Sequence, residues 1–542
     1  MTSPTYTRRE MLALTGRAAL AGALAPRFAW AAATSSPAAA GTVVGDSVAA
    51  KVGLRVLQDG GNAIDAASAA AFAAGICTPR NCGVGGYGGH AVIALAGGKK
   101  ITTIDFNSMA PAAARADMFP LDAKGAVIGG VNTLGWLAAG VPGTLAGLDL
   151  ALQRYGTRSL RDTLAPAIAM CESGTHAIAV KGIDDVPADR PPVDGGSAGG
   201  ALLPQQQRNL ALAGLLKTLA ARNSTESFYR GDLAEKIAEG FQRNGGLVTR
   251  ADLAAYRARE AAPLTLEWNG MTLHTAPLTA TGLLVLEACA ILKALDWPRL
   301  SAPQRRHARL EALRIAWVDR ARTFGDPDHV AVPIAELISR TYTGAMAEKV
   351  SVALKAEQPV RLNVNPSQAG GTTNLSAADR HGNLIAITLT HGGAFGAKVV
   401  VPELGVVLGH GMSRFDPRPG LPNSPGPRKR PINNMCPTIV TRGGVPVFAV
   451  GGAGGTRIPN GLYEVLLNYV GLGASLDSAM NAPRVHTDGT LKVGLDKQHT
   501  PDDEAFFKRL GYQTSRVAGA NISAVSFDPT TGQSRGITNG TV

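Results

Sequence analysis

The sequence predicts a layered α/β fold in which a helix-rich first part and a strand-rich second part complete one another. Before residue 355, Ala, Val and Leu recur at helical spacing through most of the chain. After residue 371 the pattern changes to short alternating runs bounded by Gly, Pro, Asn and Asp, which is typical of strands. With 542 residues, 45% of them hydrophobic and only 17% charged, the chain can bury one large core or two closely packed units. We therefore expect a layered sandwich built from both parts.

The elements follow from these periodicities. Helices are predicted over residues 46–59, 62–75, 133–154, 160–172, 206–222, 231–243, 280–294, 304–322 and 341–354. Strands are predicted over residues 90–96, 100–106, 264–275, 374–379, 384–390, 398–401, 406–408, 438–440 and 446–450. Residues 184–204 are predicted to form a surface loop, and residues 355–371 a linker.

The N-terminus has the pattern of an export signal. Arg8 and Arg9 precede a weakly apolar run, and Ala29-Trp30-Ala31 gives a small-x-small cleavage pattern, which together resemble a twin-arginine signal over residues 1–33. Arg17 interrupts the apolar run, so a membrane anchor that remains after cleavage is not expected. The sequence thus predicts a periplasmic or secreted protein.

Composition argues against several classes of partner. The net charge of +12 is spread along the chain, and its densest cluster, Arg428-Lys429-Arg430, is better explained as a solvated loop than as a nucleic-acid site. Aromatic residues make up only 5%, too few for a platform that stacks bases. No Cys or His spacing fits a metal site, and no cofactor is predicted. The five cysteines allow at most two disulfides; Cys77 and Cys82 are close enough to bridge, with buried free thiols as the equal alternative.

A glycine loop raises a dinucleotide-binding alternative. Gly83, Gly85 and Gly88 satisfy G-x-G-x-x-G, and Asp105 ends a predicted strand at a suitable distance. However, a predicted helix precedes the loop and a strand follows it, which is the reverse of the nucleotide-binding order. The loop therefore does not predict a nucleotide site.

The most informative position is Thr372, the first residue after Gly370-Gly371 and the start of a strand pattern. Cleavage between Gly371 and Thr372 would leave a residue that carries both a hydroxyl nucleophile and a primary amine able to act as its base. A glycine before the Thr lets the backbone reach the distorted geometry that attack on the preceding carbonyl requires. Gly-Thr before a strand is usually only a loop end, so this pattern needs support from the rest of the chain.

That support comes from an ordered set of motifs with which the chain resembles the γ-glutamyltranspeptidase family of N-terminal-nucleophile hydrolases. The matching stretches are Gly60-Gly61-Asn62-Ala63-Ile64-Asp65, the loop at 83–89, Asp105-Phe106, Gly140-Val141-Pro142-Gly143-Thr144, Gly325-Asp326-Pro327-Asp328, Thr372-Thr373, Pro437-Thr438-Ile439-Val440, Gly454-Gly455 and Ala482-Pro483-Arg484. The resemblance implies a four-layer αββα sandwich and self-cleavage into a large subunit, residues 34–371, and a small subunit, residues 372–542.

The resemblance also implies roles for individual residues. Thr372 would be the nucleophile, and Thr390 matches the second active-site Thr that hydrogen-bonds it. Gly454 and Gly455 match the oxyanion hole, where two backbone amides would stabilise the tetrahedral intermediate. Without the alignment, Thr390 would be an ordinary strand residue and the two glycines a tight turn.

The positions that match the family's substrate contacts have changed. Asn107 stands where the family has an Arg for the substrate carboxylate, and Arg414 stands where it has an acid for the substrate amine. Gly392 replaces an Asn, Asn433-Asn434 replaces a Ser-Ser pair, and Thr373 next to the nucleophile completes the predicted substrate-binding set.

Arg414 in place of an acid favours a substrate carboxylate without a neighbouring amine, as in oxamate-like amides or monoamides of dicarboxylic acids. An ion pair between Arg414 and Asp416 or a surface acid is the equal alternative for this residue. The sequence thus predicts an autoprocessed amide hydrolase or acyltransferase with altered acyl specificity, acting on a small-molecule amide. A true glutathione hydrolase is the second hypothesis, and a catalytically silent binding protein is the third.

Overall fold

The computed structural model describes residues 40–173, 209–363 and 371–539. Its strands, in chain order, are β1 (Gly41–Val44), β2 (Gly88–Ala94), β3 (Ile101–Asp105), β4 (Arg259–Ala261), β5 (Leu264–Trp268), β6 (Met271–Thr275), β7 (Gly371–Asp379), β8 (Leu384–Gly392), β9 (Val400–Val401), β10 (Val406–Val407), β11 (Thr438–Arg442), β12 (Val445–Ala453), β13 (Val485–His486), β14 (Lys492–Leu495), β15 (Gln513–Arg516), β16 (Asn521–Asp528) and β17 (Gln533–Asn539). Two six-stranded sheets dominate, in the orders β1-β7-β8-β2-β3-β4 and β17-β16-β12-β11-β6-β5. Every strand pair in these two sheets is antiparallel.

The α-helices cover the outer faces of the two sheets. They are α1 (Ser47–Gln58), α2 (Ala63–Cys77), α3 (Thr144–Tyr155), α4 (Leu160–Ser173), α5 (Leu210–Arg222), α6 (Glu226–Arg230), α7 (Asp232–Arg243), α8 (Arg250–Ala255), α9 (Gly282–Ala294), α10 (Ala302–Thr323), α11 (Ile334–Leu337), α12 (Arg340–Ala356), α13 (Arg457–Leu466), α14 (Leu476–Asn481) and α15 (Pro501–Arg509). One apolar core lies between the first sheet and helices that include α2 and α3, and a second lies between the other sheet and helices that include α9, α10 and α13.

A third core, which combines alanines with larger apolar residues such as Leu384 and Ile439, lies between the two sheets, so the predicted αββα sandwich is confirmed. Alternation along β8 shows how one strand serves two layers. Ile385 and Ile387 face the helices, whereas Ala386 faces the second sheet. Because successive side chains point to opposite faces, a strand buried on both sides is apolar throughout, as β8 is over most of its length.

Both sheets combine strands from before and after residue 371. In the first sheet, β7 pairs with β1 and β8 pairs with β2; in the second, β11 pairs with β6. The two parts therefore share their sheets and their cores. If the chain is cut at residue 371, we expect the pieces to stay together, since separating them would expose paired strand edges and apolar cores.

Two predicted elements differ most from the structure, whereas the predicted signal over residues 1–33 and the predicted loop over residues 184–204 lie outside the described residues. The predicted strand 264–275 is a hairpin of β5 and β6, because Asn269 and Gly270 adopt φ of 50° and 71° in the tight turn that this dipeptide favours. The predicted helix 133–154 begins only at Thr144. Pro142 disfavours the helical conformation at Val141, so the chain before Thr144 is irregular apart from a 3-10 turn at Trp136–Ala138.

All five cysteines are buried free thiols, which decides between the two alternatives for Cys77 and Cys82. Burial raises the pKa of the Cys82 thiol to about 12, so this group stays protonated at neutral pH. Within the described ranges, no helix has the length and apolar character needed to cross a membrane.

A buried carboxyl on α9 makes the stability of the fold depend on pH. Glu287 is fully buried, and burial followed by the nearby charge of Asp319 on α10 raises the pKa of the Glu287 carboxyl well above its usual value. Asp319 itself accepts a hydrogen bond from the Tyr342 hydroxyl of α12. Because the pKa of Glu287 is higher in the folded protein than in the unfolded chain, the contribution of this carboxyl to stability is lost as pH rises from its ordinary pKa through its folded pKa.

We therefore expect Glu287→Gln to raise Tm, with an increment that grows as pH increases above the ordinary glutamic acid pKa of about 4.3. Thermal unfolding followed by circular dichroism from pH 5 to pH 9 would measure this. The exposed Glu348→Gln on α12 is the matched control and should shift Tm little. A constant increment for Glu287→Gln across that range would contradict the prediction.

Candidate active site

Thr372 lies at the irregular end of the β7–β8 pair. Gly371 pairs with Gly392, and Thr373 pairs with Leu389, so Thr390 and His391 together oppose the single residue Thr372. This is the register of a β-bulge in β8, a device that locally re-aims side chains beside active sites. Thr372 itself is only partly buried. The structure thus brings the predicted nucleophile and Thr390 to the same point of the sheet.

Thr390 is fully buried, and its hydroxyl accepts a hydrogen bond from the Gly392 amide at 2.7 Å. The glycine loop packs directly against this region: a side chain at Gly86 would lie 2.9 Å from the Thr390 carbonyl oxygen. The loop follows α2 and precedes β2, as its sequence context predicted. Of the motif glycines, Gly85 and Gly88 lie so close to other backbone that a Cβ would be 2.3 Å from the Val407 carbonyl oxygen and 1.8 Å from the Phe106 carbonyl oxygen, which explains the motif by close packing.

Gly454 and Gly455 follow β12 and precede α13. Their φ angles are +139° and +64°, conformations that favour glycine. Their carbonyls accept from the Arg457 and Ile458 amides, whereas their own N–H groups make no hydrogen bond to any described residue. Backbone amides just before a helix are donors in a region of positive potential, the kind of group that can stabilise an oxyanion; this role of Gly454 and Gly455 stays a prediction.

β12 and β7 belong to different sheets but pack face to face near the site. A side chain at Gly451 would overlap the Asn374 side chain, which contacts the Thr388 hydroxyl at 2.8 Å. Gly451 lies three residues before Gly454, and Asn374 lies two residues after Thr372. The end of β12 is thereby brought towards the start of β7, which agrees with the proposed pairing of nucleophile and oxyanion donors.

Asn107 is fully buried and belongs to an internal network. Its side-chain amide donates to the Thr279 hydroxyl at 2.7 Å and to the Pro431 carbonyl at 2.6 Å, and its oxygen accepts from the Ser108 amide. Both donor hydrogens are thus engaged inside the protein. The predicted contact of Asn107 with substrate stays a prediction, and what the structure shows is a cross-link between β3 and two loops.

Asp105 anchors that network at the end of β3. Its ion pair with Arg430 corrects the prediction of a solvated loop at residues 428–430, since Lys429 and Arg430 are buried. Burial by itself would raise the pKa of the Asp105 carboxyl. Three neighbours oppose this effect, namely the ion-paired Arg430, then His90, then the ion-paired Arg259, and together they hold this pKa well below its usual range. The Asp105 carboxylate also accepts a hydrogen bond from the backbone N–H of Asn107 at 2.9 Å. The neighbouring His90 contacts the Asn433 side-chain nitrogen through its Nε2 at 2.8 Å.

Asn433, Asn434 and Thr373 are also largely buried. The Asn433 oxygen accepts from the Met435 amide, and the Asn434 oxygen accepts from Arg320 Nη2 at 2.9 Å. Arg320 projects from α10 and lies over the Trp317 ring. The predicted contacts of these three residues with substrate stay predictions, whereas Arg320 is a cation of this region that the sequence analysis missed.

Arg414 ends a 3-10 turn at Gly411–Arg414 and is partly buried. Its Nε and Nη2 donate to the Ser413 hydroxyl at 3.3 and 3.2 Å. The Ser413 hydroxyl in turn contacts His410 Nδ1. Asp416, the acid proposed as an alternative partner, is instead paired with Arg418, whose Nη2 lies 2.5 Å from the carboxylate.

The charges of Arg320 and Arg414 act on one another. Burial, followed by the charge of Arg414, lowers the pKa of the Arg320 guanidinium to about 10. Both groups remain cations at neutral pH, so this part of the structure carries strong positive potential.

Among residues 40–173, 209–363 and 371–539, no cluster of His, Cys, Asp or Glu could hold a metal ion.

The four-layer αββα sandwich is the fold of N-terminal-nucleophile hydrolases, and here it places Thr372 at the end of β7, Thr390 opposite it in β8, and Gly454 and Gly455 after the facing strand β12. A sequence model of the family Gamma-glutamyltranspeptidase matches residues 49–186 and 196–539. The chain belongs to this family, whose members are amidohydrolases and acyltransferases.

Similar proteins include both transpeptidase-type and acylase-type relatives. The chain is 35% identical over 476 residues to a glutathione hydrolase proenzyme of Pseudomonas sp. (strain A14), covering 82% of this chain and 80% of that protein. It is 32% identical over 506 residues to the acylase ACY 1 proenzyme of Pseudomonas sp. (strain V22), covering 90% and 89%. The crystal structure of cephalosporin acylase from Bacillus halodurans superposes with a TM-score of 0.80 at 27% identity, covering 92% of this chain and 94% of that one.

Proposed function

We propose that the protein is an autoprocessed amidohydrolase or acyltransferase whose acyl group carries a carboxylate without the neighbouring amine of a γ-glutamyl group. The observation that carries this proposal is Arg414, a cation at the position of a family acid, hydrogen-bonded to Ser413 on a turn that contacts β8, the strand paired with β7. Acylase relatives named alongside glutathione hydrolases are consistent with altered acyl specificity.

Processing would begin with attack of the Thr372 hydroxyl on the Gly371 carbonyl. The peptide bond gives way to an ester between Gly371 and Thr372 Oγ1, and water then releases the Gly371 carboxylate. The new α-amine of Thr372 is left free. An α-amine titrates near 7.7 to 8.0 in peptides, so a substantial fraction is neutral and able to accept a proton near neutral pH.

In the reaction with substrate, the Thr372 amine would take the hydroxyl proton while Oγ1 attacks the amide carbonyl. The Gly454 and Gly455 amides would hold the oxyanion, and the protonated amine would deliver its proton to the leaving nitrogen. The resulting acyl-threonine ester would pass its acyl group to water or to an amine. Thr390 would orient the nucleophile from the β8 bulge.

The proposed substrates are oxamate-like amides and monoamides of dicarboxylic acids. Arg414 would hold the free carboxylate through its guanidinium, and the adjacent charge of Arg320 would add long-range attraction. A true glutathione hydrolase is the second candidate, favoured by the glutathione hydrolase relatives. A silent binding protein is the third, and the presence of Thr372, Thr390, Gly454 and Gly455 argues against it.

The substitution Arg414→Met tests the acyl specificity. We expect kcat/KM for glutaryl 4-nitroanilide to fall about ten- to a hundredfold, since a hydrogen bond to a charged group contributes roughly 1.5 to 3 kcal/mol. Turnover of the neutral pentanoyl 4-nitroanilide should change little, and self-cleavage should persist. Steady-state kinetics on the two anilides and a denaturing gel would measure these effects.

Arg418→Met is the matched control, because Arg418 is a nearby arginine already paired with Asp416. It should leave the ratio of the two activities near the wild-type value. Rapid turnover of γ-glutamyl 4-nitroanilide by the wild type, unaffected by Arg414→Met, would overturn the proposal in favour of the glutathione hydrolase candidate.

A further inference from the structure

His410 and Ser413 form a buried support beneath Arg414. His410 is 5% exposed and Ser413 is 3% exposed. The Ser413 hydroxyl donates to the His410 carbonyl at 2.9 Å, which uses its only hydrogen. Its two lone pairs are therefore left to accept, one from His410 Nδ1 and the other from Arg414, whose Nε and Nη2 share it.

The donor in the contact between His410 and Ser413 follows from where the hydroxyl hydrogen points. When the Ser413 hydrogen is directed to the His410 carbonyl, the proton between the two side chains is on His410 Nδ1. Burial and, after it, the charge of Arg414 lower the pKa of the His410 imidazole to about 3, so the ring is neutral at physiological pH. A neutral donor can sit close to Arg414 without the repulsion that an imidazolium would cause.

The position of the ring depends on two glycines of the adjoining strand end. A side chain at Gly392 would lie 2.6 Å from His410 Cε1, and one at Gly393 would lie 2.7 Å from Nε2. Gly392 also pairs with Gly371 at the predicted cleavage site. His410 thus fills the volume beside the strand end and connects it, through Ser413, to the guanidinium.

We infer that His410 is a positioning residue that, through the Ser413 hydroxyl, holds the Arg414 guanidinium in the orientation that receives the carboxylate of the acyl group. This inference rests on the proposed function of Arg414. It assigns specificity to a three-residue unit, His410–Ser413–Arg414, in which only Arg414 contacts substrate. The unit requires glycine at 392 and 393, because any side chain there would displace the ring.

The test compares His410→Ala, His410→Asn, His410→Gln and Ser413→Ala on glutaryl and pentanoyl 4-nitroanilide. We expect His410→Ala and Ser413→Ala to raise KM for the glutaryl substrate about three- to tenfold, with kcat for both substrates within about twofold of wild type. Asn places its amide N–H near the position of Nδ1, so His410→Asn should restore KM. Gln places its amide near Nε2 and should behave like Ala.

His307→Asn is the control for loss of a buried ring, because His307 is also buried but packs on Tyr512 in a different part of the fold. It should leave KM for the glutaryl substrate unchanged. Ser413→Ala keeps the His410 ring and so tests the hydroxyl even where removal of the ring impairs folding.

The outcomes separate this inference from the proposed function. If Arg414→Met does not discriminate between the two anilides, the carboxylate-binding role fails and the inference with it. If Arg414→Met discriminates but His410→Ala and Ser413→Ala change both substrates equally or not at all, only the positioning role fails. If His410→Asn is as impaired as His410→Ala, ring packing rather than the Nδ1 hydrogen bond is responsible, and the inference is overturned.

Discussion

Replacing Thr372 with Ala should leave a single uncleaved chain and lower amide turnover by about 10⁴-fold or more, since the nucleophile and its base are lost together. Wild-type protein should instead separate on a denaturing gel into a large chain that ends at Gly371 and a small chain of 171 residues (542 − 371). N-terminal sequencing of the smaller band should begin Thr-Thr-Asn-Leu.

Thr372→Ser is the matched control, because it keeps both the hydroxyl and the α-amine and should still cleave itself. Wild-type chains should also elute together on a native column, since β7 and β8 lie between β1 and β2 in one sheet. A wild-type preparation that remains a single band, indistinguishable from Thr372→Ala, would rule out the proposed self-cleavage.

The second large effect is expected at the oxyanion glycines. Gly454→Ala should lower kcat about 10²- to 10³-fold, the usual result of losing one oxyanion donor. Alanine cannot hold a φ of +139° without strain, and its Cβ would lie 3.1 Å from the Ala520 Cα. The backbone would therefore rotate and turn the amides away from the oxyanion. Self-cleavage should slow as well, because its tetrahedral intermediate would use the same donors.

Gly443→Ala supplies the control for this substitution. Gly443 also has a positive φ, of +56°, but lies in the turn between β11 and β12 with open space around the position of a Cβ. It should cost some stability and leave kcat near the wild-type value. Measured kcat for Gly454→Ala within threefold of wild type, with the fold intact by circular dichroism, would remove Gly454 from the proposed oxyanion hole.

Local patterns were sufficient where one physical effect dominates. The alternating run at 374–379 predicted β7, and the mostly apolar, β-branched run at 384–390 predicted β8, because such residues suit buried strands. Alanine-rich periodicity predicted α2 closely. α13 was not predicted, because Pro459 and Gly461 interrupt its pattern although the helix is buried on every side. The dipeptide Asn269-Gly270 between β5 and β6 is a hairpin signal that periodicity alone does not detect.

The sequence by itself determined the family, the layered architecture and the candidate nucleophile, because short motifs and periodicities encode them locally. Only the tertiary structure decided how the site is assembled. It set Thr390 and His391 opposite Thr372, engaged the Asn107 amide in an internal network, and joined Arg414 to His410 through Ser413. These outcomes depend on strand register and on competition among neighbouring donors and acceptors. Neither is fixed by the residues on one segment, since partners far apart in the chain must first be brought together by burial of the shared core.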